Sequence, residues 1–122
     1  MLVVDDDPLT VGFVAHVLAT HGYEVESVCD GESALAALGR RLPDLVLLDV
    51  VMPAMSGIEV LDHIRTDPQQ SHLPVILITA CSADEELLEG YRVGADYYIT
   101  KPFTAAELLD GIALVVGAAR ID

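Results

Sequence analysis

The sequence predicts an α/β fold in which helices cover both faces of a five-stranded parallel sheet. Short apolar runs alternate with helical patterns along the whole chain, and the central runs at residues 45–48 and 75–78 are apolar at every position. Strands that are buried on both faces have such uninterrupted apolar sequences, whereas strands with one solvated face alternate. Five consecutive strand–helix units of this kind are typical of a sandwich built around a parallel sheet.

The first unit combines a short strand and a helix. Residues 2–4 are apolar and are followed directly by acids. Asp7 followed by Pro8 fits an N-cap and the first helical turn, and Gly22 ends the helix after about His21. Residues at helical spacing form the apolar stripe that we expect to face the core: Val11, Val14, Ala15 and Leu18.

The second and third units follow the same scheme. Residues 23–28 alternate between apolar and polar side chains, as an outer strand does. A second helix is expected over about 32–40, and the third strand at 45–48 follows Pro43. A third helix begins at Gly57 and carries three core residues: Ile58, Leu61 and Ile64.

The last two units are marked by helix-capping patterns. The fourth strand covers 75–78. Segments 82–85 (SADE) and 104–107 (TAAE) both match the capping box, in which a hydroxyl and a carboxylate satisfy the first backbone N–H groups of a helix. Gly94 ends the fourth helix, and residues 97–99 form the fifth strand.

Composition excludes several classes of protein. The chain has 122 residues, which suits one domain. Twenty acids against six Lys and Arg give a formal net charge of −14, which argues against direct binding to nucleic acid. No apolar run reaches the ~18 residues that span a bilayer, and the first residues lack the basic region of a signal peptide. We therefore expect a cytoplasmic protein without membrane contact.

Functional side chains are expected at the carboxyl ends of the strands, where open α/β sheets bind ligands. Six charged or polar residues follow those ends: Asp5, Asp6, Asp7, Asp49, Thr79 and Lys101. Two carboxylates about 4 Å apart repel by about 4 kcal/mol at the effective dielectric of a partly buried site. Because one lysine cannot offset three or four acids, the cluster must take up a proton or a divalent cation, and oxygen ligands favour Mg²⁺.

A phosphoryl group brought to Asp49 would meet a carboxylate nucleophile beside a metal, a lysine and a hydroxyl. Each residue also has a plain structural alternative. The acids after the first strand could stabilise the helix amino terminus through its dipole, Thr79 could be an ordinary strand residue, and Lys101 could be a solvated strand end. Asp49 is harder to explain in this way, because a charge behind four apolar residues needs a partner.

Four segments, "VVDDDP", "LVLLDVVMPAMSG", "VILITA" and "GADYYITKPF", closely resemble the response-regulator receiver domain of two-component signal transduction. Thr79 and Lys101 follow Asp49 by 30 and 52 residues, spacings that match the family. The resemblance covers essentially residues 1–122 as one receiver domain. It implies a flavodoxin-like (βα)₅ fold with strand order 2-1-3-4-5.

The resemblance also implies a role for each residue at this edge. Asp49 matches the phosphoacceptor. Asp6 matches the direct ligand of Mg²⁺ or Mn²⁺, Asp5 the acid that acts mostly through water, and the backbone carbonyl of Val51 the third ligand. Lys101 matches the phosphate-binding lysine, and its peptide bond to the following proline is usually cis in the family.

Two further residues match the family's switch. Thr79 corresponds to the switch hydroxyl, and Tyr98 to the aromatic residue that turns inward on activation. Phosphorylation adds about −1.5 to −2 charges at neutral pH. This local charge is expected to change the face formed by the fourth helix, fifth strand and fifth helix, which would control an effector domain or a homodimer.

The implied function is a phosphorelay module that catalyses only its own phosphotransfer and dephosphorylation. The phosphoryl group would come from a sensor histidine kinase or a histidine phosphotransfer domain. Leu9, Phe13 and Val17 lie on the first helix away from the stripe assigned to the core, so a partner helix could pack there. Alternatively, Phe13 covers neighbouring loops.

Two residues depart from the fast-cycling members of the family. Val51 and Cys81 lie two residues after the acceptor and the hydroxyl, and neither can readily position an attacking water, so a long-lived phosphoryl-aspartate is expected. The strand order separates Cys29 from Cys81 by three steps of ~4.8 Å, or ~14 Å, beyond the ~7 Å reach of a disulfide.

Other classes of protein match only part of the pattern. A haloacid dehalogenase-type phosphatase would have a second acid where Val51 stands. A flavodoxin-like cofactor binder would have a loop rich in Gly, Ser or Thr after the first strand. A receiver that never takes phosphate would lack an acid or the lysine, and here all are present.

Overall fold

A computed structural model describes residues 1–80 and 90–120. Strands and helices alternate in this part of the chain, and residues 90–93 are also helical. In order, the elements are β1 (Leu2–Val4), α1 (Pro8–Thr20), β2 (Glu26–Val28), α2 (Gly31–Arg40), β3 (Val46–Asp49), α3 (Gly57–Thr66), β4 (Val75–Thr79), β5 (Tyr97–Thr100) and the C-terminal helix (Ala105–Arg120).

The strands form one sheet in the order β2-β1-β3-β4-β5, and every neighbouring pair is parallel. The predicted fold class and strand order are therefore confirmed. Asp49 pairs with Ile78, and Thr79 pairs with Thr100. This register brings the carboxyl ends of β3, β4 and β5 to one rim of the sheet.

Helices cover both faces of the sheet, and each face has its own apolar cluster. Side chains alternate along a strand, so Leu47 and Ile76 belong to the cluster under α1 and the C-terminal helix, whereas Leu48 and Leu77 belong to the cluster under α2 and α3. Burying each such side chain stabilises the fold by about 1.5–3 kcal/mol. These clusters hold the rim in a fixed geometry.

One expectation for the first helix is wrong. Val17 was assigned to the exposed face, but it is buried in the cluster under α1. The buried stripe consists of Val14, Val17 and Leu18, which have the i, i+3, i+4 spacing of one helix face. Val11 and Ala15, assigned to the core, are only half-buried.

The second strand is shorter than its alternating pattern predicts. The pattern runs from residue 23 to 28, but β2 covers only Glu26–Val28. Its one neighbour, β1, has three residues, and Leu2, Val3 and Val4 pair with just those three partners. β2 is thus limited to the residues that pair with β1, and the N–H of Tyr23 donates instead to the carbonyl of Leu18 at 3.1 Å.

Two of the predicted helix-capping patterns are present in the structure. Asp7 accepts a hydrogen bond from the N–H of Leu9 at 3.0 Å. Thr104 and Glu107 form the reciprocal capping box, with both side chain–backbone distances at 3.1 Å. The other predicted capping box, at 82–85, and Cys81 lie outside the described residues, so the proposed absence of a disulfide stays a prediction.

Across residues 1–80 and 90–120, no helix combines the length and the apolar character needed to cross a membrane.

Arg65, on α3, anchors the end of the sheet opposite the rim. Its guanidinium donates hydrogen bonds to the carbonyls of Gly94, at 2.9 Å, and Leu73, at 2.7 Å. It also pairs with the Asp96 carboxylate at 3.0 Å, and the same carboxylate oxygen accepts the N–H of Val75 at 2.8 Å. Arg65 thus joins α3, the start of β4 and the segment before β5.

Replacing Arg65 with Ala should lower the free energy of unfolding by about 2–4 kcal/mol, because several carbonyls and one carboxylate lose their donor. Urea denaturation measures the change. The matched control is Arg40→Ala, since the Arg40–Glu26 pair is exposed and should contribute less than about 1 kcal/mol. Equal effects of the two substitutions would contradict the anchoring role of Arg65.

Candidate functional site

The rim brings together the side chains that the sequence predicts there. Asp5 directly follows β1, Asp49 and Thr79 end β3 and β4, and Lys101 directly follows β5. Asp5, Asp49 and Thr79 are 2%, 5% and 0% exposed. Two carboxylates and a hydroxyl are therefore held in the protein interior at the edge of a parallel sheet.

Three carboxylates form a compact group at the rim. Asp5, Asp6 and Asp49 each have an oxygen within 4.8 Å of the others; Asp6 is exposed. A small set of carboxylate oxygens open to solvent on one side suits Mg²⁺ or Mn²⁺, which keep several water ligands. The donor set therefore fits a hard divalent cation.

Asp7 is not a member of this group, because its side chain caps α1. Its carboxylate accepts hydrogen bonds from the N–H of Leu9 and the hydroxyl of Thr10, and these lower the pKa of Asp7. Its own N–H donates to Asp5 Oδ1 at 2.9 Å. The helix-capping alternative is thus right for Asp7, while the two acids before it belong to the acidic group.

Lys101 is directed into the acidic group. Its Nζ lies 3.0 Å from Asp5 Oδ2 and 3.8 Å from Asp49 Oδ2, and its side chain is 20% exposed. Burial would lower the pKa of Lys101, but the hydrogen bond to Asp5 and the charge of Asp49 outweigh burial and raise it. The alternative of a solvated strand end is therefore wrong.

The backbone of Lys101 is hydrogen-bonded to the end of β4. The N–H of Lys101 donates to the carbonyl of Thr79 at 2.7 Å, and the Lys101–Pro102 peptide bond is cis, as the resemblance implied. The lysine is thus tied to the strand that carries the hydroxyl.

The surroundings of Asp49 strongly perturb the titration of its carboxyl group. Burial, together with the negative charge of Asp5, raises the pKa of Asp49 to about 6 against the opposing charge of Lys101. Its Oδ1 accepts the N–H of Val51 at 3.4 Å. Because Lys101 offsets the negative charge of Asp49 only in part, binding of an additional cation beside this carboxylate is favourable.

Gly57 allows the loop after Asp49 to fold back on the strand. A Cβ at residue 57 would collide with the carbonyl of Asp49 and lie 2.9 Å from the Cα of Val50. The N–H of Gly57 donates to the carbonyl of Val50 at 2.8 Å. The sequence identified Gly57 only as a helix start, although Ser56 caps α3; the close approach to Asp49 is the reason for a glycine.

The side chains of Val51 and Tyr98 are not members of the acidic group. Val51 lies two residues after the end of β3 and is 62% exposed. Tyr98, on β5, is half-buried against the cluster under α2 and α3, and its hydroxyl oxygen is buried. It pairs with Leu77, two residues before Thr79, so Tyr98 and Thr79 belong to the same face of the sheet.

An exposed apolar surface lies on α1. Leu9 and Phe13 are 82% and 41% exposed, in agreement with the sequence analysis. The ring of Phe13 lies 5.9 Å from that of Phe103, measured between centroids. Phe13 therefore also covers the loop after β5. Phe103 was not identified as a partner from the sequence, although it stands in the quoted segment "GADYYITKPF".

Comparison with known proteins identifies a family and several similar chains. The family model described as "Response regulator receiver domain" matches residues 1–113. The probable transcriptional regulatory protein TcrX of Mycobacterium tuberculosis is 42% identical over 109 residues, which are 89% of this chain and 46% of TcrX. The response regulator PleD of Caulobacter vibrioides is 42% identical over 102 residues, 84% of this chain and 22% of PleD. The chain thus spans less than half of either relative.

Solved structures agree with these relatives. The chemotaxis protein CheY4 of Vibrio cholerae superposes with a TM-score of 0.89 at 36% identity, covering 93% of this chain and 95% of CheY4. A response regulator structure from Chloroflexus aurantiacus has a TM-score of 0.91 at 32% identity and covers 95% of both chains.

The Asp49→Asn variant should be more stable than the wild type at neutral pH. Because the pKa of Asp49 is raised from 3.8 to about 6, the folded chain binds this proton more tightly than the unfolded chain does. Its free energy of unfolding therefore falls as the pH rises through that interval. The asparagine is neutral throughout, so the two melting temperatures should coincide near about pH 4 and separate by about pH 7.

Melting temperatures measured over this pH range in the presence of a metal chelator test the expectation. Asp62→Asn on α3 is the control, because Asp62 is exposed and outside the acidic group. A difference between wild type and Asp49→Asn that does not depend on pH would contradict the proposed cause.

Proposed function

The chain belongs to the family of response regulator receiver domains, and from this we propose that Asp49 accepts a phosphoryl group and thereby switches an output surface. The observation that carries the proposal is the rim geometry: a buried carboxylate surrounded by two acids, with the Lys101 ammonium 3.8 Å away.

The transfer is a displacement at phosphorus. A carboxylate oxygen of Asp49 attacks the phosphorus atom, the bond between phosphorus and the donor nitrogen of a phosphohistidine breaks, and the donor leaves with the bonding electron pair. Lys101, already within 3.8 Å of Asp49 Oδ2, neutralises negative charge on the transferred group. Thr79 offers its hydroxyl from the neighbouring strand end.

A divalent cation fits beside these residues. Asp6 and Asp49, with the backbone carbonyl of Val51, would hold Mg²⁺ or Mn²⁺, and Asp5 would act mainly through bound water. When bound, the cation offsets the charge of the acids and of the phosphoryl oxygens. Asp5 and Asp49 are only 2% and 5% exposed. Because both residues are buried, the surrounding protein restricts the positions of their carboxylates.

The chain acts as a signalling module in this proposal. It catalyses only the transfer to its own Asp49 and the later hydrolysis. The donor is a sensor histidine kinase or a histidine phosphotransfer domain, and a helix of the donor packs on the exposed Leu9 and Phe13. The proposed compartment is the cytoplasm, because Cys29 is an exposed free thiol and free thiols suit a reducing compartment.

The output surface is the face formed by residues 90–94, β5 and the C-terminal helix, here called the switch face. The first part of the predicted fourth helix lies outside the described residues. Phosphorylation draws Thr79 toward the phosphoryl oxygens, and Tyr98, on the same face of the sheet, responds. The changed switch face then controls an output domain or a second copy. Any effect on DNA acts through another domain, since the net charge is −14.

Incubation with acetyl phosphate and Mg²⁺ should add one phosphoryl group to the wild type and none to Asp49→Ala, because the nucleophile is lost. Intact-mass spectrometry measures the product.

Asp62→Ala is the matched control, since it removes an exposed carboxylate from α3 and should leave labelling unchanged. Omission of Mg²⁺ should abolish labelling of the wild type. Labelling of Asp49→Ala to the wild-type level would refute Asp49 as the acceptor.

Replacing Val51 with Asn or Asp should shorten the lifetime of the phosphoryl group several-fold, because a polar side chain two residues after Asp49 can orient an attacking water. The rate at which the mass of the added group disappears gives the lifetime. Leu42→Asn, a polar substitution of an exposed residue before β3, is the control. Identical lifetimes for the Val51 variants and the wild type would contradict this explanation.

A further inference from the structure

The ring of Tyr98 lies in a close-fitting slot beside residues 90–93. Tyr98 is half-buried, packs against the cluster under α2 and α3, and has a buried hydroxyl oxygen. A ring in this position lies on the same face of the sheet as Thr79, which is 0% exposed. The aromatic residue of the switch is therefore already turned toward the interior.

Tyr91, in the helical segment 90–93, packs against this ring. The two ring centroids are 6.0 Å apart and the ring planes are inclined at 44°, a tilted arrangement that aromatic pairs favour. Tyr91 is itself 49% exposed, whereas Tyr98 is half-buried. The more exposed ring therefore packs against the more buried one.

Gly90 allows the helical segment 90–93 to lie close to the Tyr98 ring. A Cβ at residue 90 would lie 3.0 Å from Cε2 of Tyr98 and 2.7 Å from Cδ1 of Leu77. Gly90 is buried. The absence of a side chain at residue 90 is thus what lets the helical segment approach the Tyr98 ring.

We propose that Tyr91 is a positioning residue, which covers Tyr98 and, with Gly90, holds its ring buried before any phosphoryl group arrives. The consequence for signalling rests on the proposed function, in which Tyr98 responds to Asp49. A contact that stabilises the buried ring lowers the free energy needed to reach the phosphorylated state, and linkage makes the effect reciprocal. Tyr91 thereby raises the affinity of the rim for a phosphoryl group without touching it.

The position of the Tyr98 ring can be measured in the absence of any phosphoryl donor. Fluorotyrosine is incorporated into the protein, and the fluorine NMR signal of Tyr98 is identified by its loss in Tyr98→Phe. The broadening of this signal by a soluble paramagnetic probe reports how accessible the ring is to solvent. Tyr91→Ala should increase the broadening several-fold, and Tyr91→Phe, which keeps the ring, should leave it at the wild-type level. Tyr23→Ala, which removes an exposed tyrosine before β2, is the control.

Gly90→Ala supplies an independent variant. Its added methyl group crowds Tyr98 and Leu77 at the distances given above, so the Tyr98 ring should also become more accessible. Circular dichroism verifies that each variant is folded. Wild-type broadening of Tyr98 in folded Tyr91→Ala would overturn the proposal, as would failure of Tyr91→Phe to restore it.

Beryllofluoride is a stable analogue of the phosphoryl group. Titration with it in the presence of Mg²⁺ tests whether the Tyr91–Tyr98 contact is coupled to the rim. Tyr91→Ala should raise the beryllofluoride concentration at half-saturation by about two- to tenfold, the range expected for loss of one aromatic pair; Tyr91→Phe and Tyr23→Ala should not. An unchanged value for Tyr91→Ala would overturn the coupling. If the wild type neither binds the analogue nor reacts with acetyl phosphate, the proposed function is refuted instead. In that case the solvent accessibility of the Tyr98 ring still decides whether Tyr91 covers it.

Discussion

Repulsion between the buried carboxylates of Asp5 and Asp49 is the constraint on which the site depends. At the effective dielectric of a partly buried site, two such charges about 4 Å apart cost about 4 kcal/mol. Lys101 offsets part of this cost, at 3.0 Å from one carboxylate and 3.8 Å from the other. Burial of Asp49, together with the remaining repulsion from Asp5, raises the pKa of Asp49 to about 6. The excess negative charge at the rim favours binding of a divalent cation.

The fold can maintain this repulsion because apolar burial holds the strand ends in place. β1 and β3 are buried along their whole length between two apolar clusters. Gly57 lets the following loop close against the Asp49 carbonyl. The acids cannot move apart without breaking this packing, so the unfavourable charge is localised at the rim.

The rim and the opposite end of the sheet are connected to the switch face in different ways. At the rim, the N–H of Lys101 is bonded to the Thr79 carbonyl, so β5 is joined to the strand that carries the hydroxyl. At the other end, Arg65 bonds to Gly94 and Asp96 and fixes the segment before β5. Tyr98 lies between these attachments, where its packing against Tyr91 can respond to the rim while the far end stays anchored.

The sequence by itself determined the fold class, the strand order through its resemblance, and the polar residues at the rim, because apolar periodicity and strand-end position are local properties of the chain. Tertiary structure decided the rest. Val17 is buried and β2 is short because of neighbours distant in sequence, and the separate roles of Asp5 and Asp7 follow from their contacts. The pKa of Asp49, the reason for Gly57 and the Tyr91–Tyr98 pair likewise depend on distances between residues from different elements, which no local pattern specifies.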